Sequence, residues 1–141
     1  MNVVVDASVV AKWLFLETDT DKARALFTQS ELGRIRLYAP ELLVAEIVSV
    51  LSVRVTRQLL DAGEASTLYS RFQSSCPDLE PVSDLAPSAL RLAVRFKHSA
   101  YDCFYVALAE KANCPLVTAD QKLVRAFAPV FPQVYLLRDW V

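Results

Sequence analysis

At 141 residues the chain has the length of one domain and enough sequence to bury a substantial core. Fifteen basic against sixteen acidic residues give a net charge of −1, which excludes broad electrostatic coating of nucleic acid but permits a small acidic site that works through a metal. Hydrophobic residues reach 54%, a surplus that points to an oligomer or partner surface, yet no uncharged apolar run approaches the roughly 18 residues of a membrane span.

The chain opens on Val3-Val4-Val5, a strand by β-branching, and its lack of polar alternation predicts cover on both faces. Asp6 follows at once, and a helix begins behind it with the apolar run Val9 to Leu16. No basic stretch precedes this run, so a secretory signal is not expected. Two readings of Asp6 stand: an N-cap that satisfies free helix amides, or the mouth of a ligand site at a strand's carboxyl end. A second helix is expected over Lys22 to Ser30, with Gly33 just past its end, then a short strand from Arg34 to Tyr38.

Ala39-Pro40-Glu41 reads as the start of a long helix, about Pro40 to Gln58. Its apolar stripe runs through Leu42, Leu43, Ile47, Val50 and Leu51, and Glu46 lies inside that stripe. A carboxylate there is costly unless paired, protonated, metal-bound or able to reach water from the stripe's edge. Arg54 and Arg57, near the end, complement the helix dipole. Asp61-Ala62-Gly63 is expected to break the helix before another from Glu64 to Ser74.

Leu79 to Val82 is a short strand candidate, and Ser83-Asp84 a cap for a helix from Leu85 to Lys97. Arg91 and Arg95 share a face of that helix, either as a solvated basic face or as a phosphate-contacting patch. His98 is the only histidine, which gives little support to an imidazole metal site or a Ser-His-Asp triad. Ser99 to Asp102 has capping-box spacing ahead of an apolar helix, Cys103 to Ala109, that ends at Asn113-Cys114-Pro115. Burial of that helix would draw Asp102 towards the interior. Pro115 to Thr118 is a second core strand, Thr118 to Gln121 a second capping box, and a helix through Phe127 and a last strand, Val134 to Leu137, complete the chain. Cys76, Cys103 and Cys114 have no zinc spacing and are expected as reduced thiols of a cytoplasmic protein.

The expected architecture is α/β, a parallel sheet sandwiched by helices in a single domain over residues 1–141. Asp6 and Asp120 end core strands, and Glu46 and Asp102 lie near the starts of apolar helices, so right-handed crossovers bring all four acids to one edge. Four carboxylates without an intervening Lys or Arg raise one another's pKa, and a hard cation such as Mg²⁺ resolves the conflict. Such a site supports phosphodiester hydrolysis.

Val-Asp-Ala-Ser at residues 5–8, Pro-Glu-Leu-x-x-x-Glu at 40–46, Tyr-Asp-Cys-x-Tyr-x-Ala-Leu-Ala at 101–109 and Val-Thr-Ala-Asp at 117–120 resemble a PIN-domain nuclease, most of all the VapC toxins of toxin–antitoxin pairs. The resemblance implies a Mg²⁺- or Mn²⁺-dependent endoribonuclease acting on RNA, a homodimer, and an antitoxin that inserts a basic residue at the acidic site. It makes Asp6, Glu46, Asp102 and Asp120 the catalytic quartet. Asp6, Asp102 and Asp120 hold metal, and Glu46 positions or deprotonates water. Ser8, Thr118 and Ser49 stand behind the acids, although Ser49 replaces a frequent Asn. Two other classes stay open: a phospho-acceptor or phosphatase domain using Asp6 as nucleophile, and a non-catalytic module of the same fold.

Overall fold

The computed structural model describes residues 1–140. Five strands, β1 (Asn2–Val5), β2 (Arg36–Pro40), β3 (Asp78–Glu80), β4 (Leu116–Thr118) and β5 (Val134–Leu136), form one parallel sheet in the order β3-β2-β1-β4-β5. Seven α-helices connect them: α1 (Ala7–Leu14), α2 (Thr20–Glu31), α3 (Leu42–Thr56), α4 (Ala62–Ser74), α5 (Val82–Phe96), α6 (Ala100–Ala112) and α7 (Gln121–Phe127). Among the described residues no helix is long and apolar enough to cross a membrane.

The two strands without polar alternation lie where that pattern requires. β1 and β4 are neighbours at the centre, and Val3, Val4, Val5, Leu116 and Val117 are fully buried. From β1 the chain winds outward through β2 to β3, then crosses to β4 and β5 on the other side. The winding reverses between β1 and β4, which makes the carboxyl ends of those two strands the crevice of the sheet.

Several boundaries move, each for a local reason. Gly33 (φ 70°) and the Arg34 amide, bonded to the Gln29 carbonyl at 3.0 Å, close α2, so β2 starts at Arg36 rather than Arg34. β2 continues through Pro40, and α3 starts at Leu42. β1 pairs with β2 only as far as Tyr38, so the amide missing at Pro40 interrupts no ladder bond to β1. The long helix ends with Gln58 in the left-handed region (φ 61°). Asp61-Ala62-Gly63 therefore does not break that helix; it opens α4, with Asp61 and Glu64 in a reciprocal capping box. β3 stops at Glu80, and α5 begins at Val82, so Ser83 and Asp84 lie in its first turn rather than before it. The three cysteines are free, and burial pushes the Cys103 thiol up to about 11.

Candidate active site

Asp6 follows the last residue of β1 and caps α1, its Oδ1 accepting the Val9 amide at 3.3 Å. The same oxygen accepts the Ser8 hydroxyl at 2.5 Å, and Oδ2 accepts the Thr118 hydroxyl at 2.5 Å. Asp6 is thus a helix cap whose side chain also accepts a hydroxyl from the neighbouring strand. Thr118 ends the adjacent strand and is itself fully buried. The Asp120 amide donates to Thr118 Oγ1 at 3.0 Å, and the Ala119 amide to Ser8 Oγ at 2.9 Å. With an amide donating to each hydroxyl, the single hydroxyl proton is directed at Asp6. This network stitches the loop after β1 to the loop after β4.

The carboxyl group of Asp6, 6% exposed, ionises near 6 rather than in the usual carboxylate range. Burial is the main cause. The bonds from Ser8, Thr118 and Val9 act the other way, and the charge of Asp102 adds to the rise. A nucleophilic Asp needs an oxygen open to a phosphoryl group. Both oxygens of Asp6 accept hydrogen bonds, and the side chain is buried.

Glu46 sits in the second turn of α3, half-buried as its place in the apolar stripe implies. Its Oε1 accepts the Tyr105 hydroxyl at 2.6 Å. Burial raises its pKa, the Tyr105 bond lowers it, and Asp102 raises it. Tyr105 is 1% exposed, and burial together with the charge of Glu46 drives its own ionisation far above the normal range, so it remains a donor.

Asp102 lies in the first turn of α6, also half-buried. Ser99 makes no side-chain cap bond, so the expected box of Ser99 and Asp102 does not form. Asp102 Oδ2 instead meets His98 Nε2 at 2.8 Å. A carboxylate only accepts, which places the hydrogen on Nε2.

Asp120 is the N-cap of α7, accepting the Lys122 amide at 2.9 Å and the Leu123 amide at 3.4 Å. The box predicted from Thr118 is therefore shifted: Asp120 caps, while Thr118 faces Asp6.

Asp102 lies close enough to raise both Asp6 and Glu46, whereas Asp120 is linked to Asp6 through its amide and Thr118. Ser49 is exposed and lines a hollow with Arg54, Arg57 and Leu59; its hydroxyl makes no hydrogen bond to Glu46. The spacing within α3 could not foresee this, because position 49 is nearly a full turn on from Glu46 yet falls outside the buried stripe. Arg91 bonds Ser88 at 3.0 Å and Arg95 lies over the Phe96 ring, and neither pairs with a carboxylate among the described residues. Two residues the sequence reading did not place at the site are Tyr105 and His98. For Tyr105 the available signal was its spacing three on from Asp102 along α6, which puts the two near one helix face; His98 precedes α6 and carried no such signal.

The donor set suits a hard divalent cation. All four acids offer oxygen, and no lysine or arginine among the described residues is ion-paired with any of them. No three acidic, histidine or cysteine side chains among the described residues converge into a ready-made cage. Mg²⁺ does not demand one, since it commonly keeps several waters and uses one or two carboxylates.

The PIN domain family matches residues 3–127. The ribonuclease VapC3 of Pyrobaculum aerophilum is 30% identical over 129 residues, covering 90% of this chain and 95% of that protein. The ribonuclease VapC9 of Mycobacterium tuberculosis is 35% identical over 121 residues, covering 86% and 87%. The crystal structure of the Mycobacterium tuberculosis VapC20, a sarcin–ricin loop cleaving toxin, shares the fold with a TM-score of 0.66 at 17% identity, over 89% of this chain and 95% of that one.

Proposed function

Since the chain belongs to the PIN domain family, and within it to the VapC-type ribonuclease toxins of toxin–antitoxin systems, we propose that Asp6, Glu46, Asp102 and Asp120 form the metal-dependent catalytic site of an endoribonuclease. The observation that supports this reading is that Asp102 raises the pKa of both Asp6 and Glu46 beside the crevice of a parallel sheet, with no lysine or arginine among the described residues ion-paired to these acids. A single domain over 1–141 is supported by β5, which adds a strand to the sheet beyond the matched stretch.

Asp6, Asp102 and Asp120 would hold Mg²⁺ or Mn²⁺, which when bound supplies positive charge for the scissile phosphate and acidifies the attacking water. Glu46 takes the proton from that water. Its raised pKa suits a general base, whose best value lies near the working pH. Tyr105 occupies Oε1 of Glu46 and so leaves Oε2 for the water. Ser8 and Thr118 hold both oxygens of Asp6 in one orientation. Ser49 is retained only as a distant neighbour of Glu46. Arg91 and Arg95, without carboxylate partners among the described residues, are available to RNA phosphates.

The antitoxin carries a basic residue that enters the acidic site, where a guanidinium or ammonium replaces the cation's charge. A homodimer is supported by Leu90 and Val94, exposed apolar side chains one turn apart on α5. Free thiols are consistent with a cytoplasmic protein. Incubation with a panel of RNAs, with Mg²⁺ or Mn²⁺ and with EDTA, tests the central reading. Cleavage is expected only with metal, and undiminished cleavage in EDTA would overturn it.

A further inference from the structure

The four acids differ in how they are anchored. Asp6 and Asp120 are tied to helix amides as caps. Asp102 has no cap role, lies within the first turn of α6, and faces the like charges of Asp6 and Glu46. Repulsion from those charges, together with its own partial exposure of 29%, favours swinging the metal-free carboxylate out towards water. One side chain opposes that motion.

His98 follows Lys97, whose left-handed backbone (φ 50°) ends α5 and turns the chain towards α6. The imidazole is 8% exposed and stands edge-on to the ring of Phe127 with centroids 5.2 Å apart. Phe127 is fully buried and belongs to α7, the helix that Asp120 caps. The ring is therefore fixed by core packing on one side, and on the other it offers Nε2 to Asp102 Oδ2 at 2.8 Å.

We infer that His98 is a positioning residue for metal binding: by holding Oδ2 of Asp102 it keeps the carboxylate turned inward and leaves Oδ1 to the cation. This rests on the metal-site reading above. Second-layer partners that fix a ligand's orientation matter because an unrestrained ligand must lose rotamer freedom on binding. Here the restraint also offsets electrostatic repulsion before the cation arrives. The arrangement ties Asp102 on α6 to the packing of α7 through Phe127.

Titration calorimetry with Mn²⁺ on the full chain tests this directly. His98→Leu keeps bulk against Phe127 and deletes the donor, and it should weaken Mn²⁺ affinity by about 10- to 100-fold, as loss of such partners commonly does. His98→Gln places an amide nitrogen at a similar reach and should stay close to wild type. His98→Asn falls short and should resemble His98→Leu. In an Asp102→Asn background, His98→Leu should add little further loss, because the side chain it acts through has already lost its charge. A purely structural role would lower the melting temperature in EDTA and leave the Mn²⁺ affinity unchanged. Equal affinity for wild type and His98→Leu overturns the inference. If His98→Leu does not fold, equal affinity for His98→Asn and His98→Gln does the same. Absence of Mn²⁺ binding by the wild type sinks the metal-site reading itself, a result distinct from either.

Discussion

Tyr105 on α6 donates its hydroxyl to Glu46 on α3 at 2.6 Å across 59 positions of sequence. The bond joins the proposed base to the helix that carries Asp102, so both acids are placed by one element. Its energetic sense is definite: a donor to the ionised form opposes the rise in Glu46 pKa that burial and Asp102 produce.

Tyr105→Phe should therefore move the acid limb of the pH–rate profile to higher pH, since Glu46 loses the contact that favours its ionised form. Stability should fall by about 1.5–3 kcal/mol, the range of a hydrogen bond to a charged acceptor. A pH–rate profile unchanged from wild type would remove Glu46 from the role of base.

Asp6 makes metal-free stability depend on pH. Its folded value near 6 exceeds the ordinary 3.8, so the folded state binds more protons than the unfolded chain between those values. Above 6 the ionised carboxylate is a full penalty. The penalty shrinks as pH falls from 6 towards 4, and below both values it is gone. The relief is about 2–3 kcal/mol at 1.36 kcal/mol per pKa unit. Urea unfolding in EDTA at pH 7 and pH 5 should show wild type gaining more than Asp6→Asn over that step. Equal gains would mean that Asp6 ionises normally.

Thr118→Val preserves shape and deletes a hydroxyl that both donates to Asp6 and accepts from the Asp120 amide. A half-buried amide is left without its partner and Asp6 loses a bond that favours ionisation. The expected cost is about 2–3 kcal/mol by urea unfolding, and metal-dependent cleavage should weaken in parallel. Ser8→Ala should cost less, because Ser8 is only partly buried.

Asp102→Asn keeps an oxygen able to accept from His98 and removes the charge that raises Asp6 and Glu46. Cleavage should fall by several orders of magnitude, on the scale of losing an essential catalytic group. The metal-free fold should gain about 1 kcal/mol from relieved repulsion. Free Mg²⁺ at 100 times its dissociation constant should stabilise wild type by about 2.7 kcal/mol, and this shift should shrink in the variant. Thermal melts with Mg²⁺ and with EDTA measure both effects. Full activity in Asp102→Asn would end its role as a metal ligand.

The sequence alone determined the elements whose cause is local. Three valines make β1 a buried strand, Leu116 to Thr118 make β4 another, and each runs into an acid because Asp is an effective cap where a helix must begin. From those elements the sequence led to the expectation that Asp6, Glu46, Asp102 and Asp120 share one edge. The tertiary structure decided which groups face which acid. Thr118 reaches Asp6 across 112 positions, Tyr105 takes Glu46 rather than merely filling the core, and His98 replaces Ser99 as the partner of Asp102. It also left Ser49 exposed and without a hydrogen bond to Glu46. Periodicity fixes the face of a helix on which a residue lies. The partner waiting opposite is set by how the sheet is wound and how the helices pack across it, and a single chain's spacing does not encode those distances.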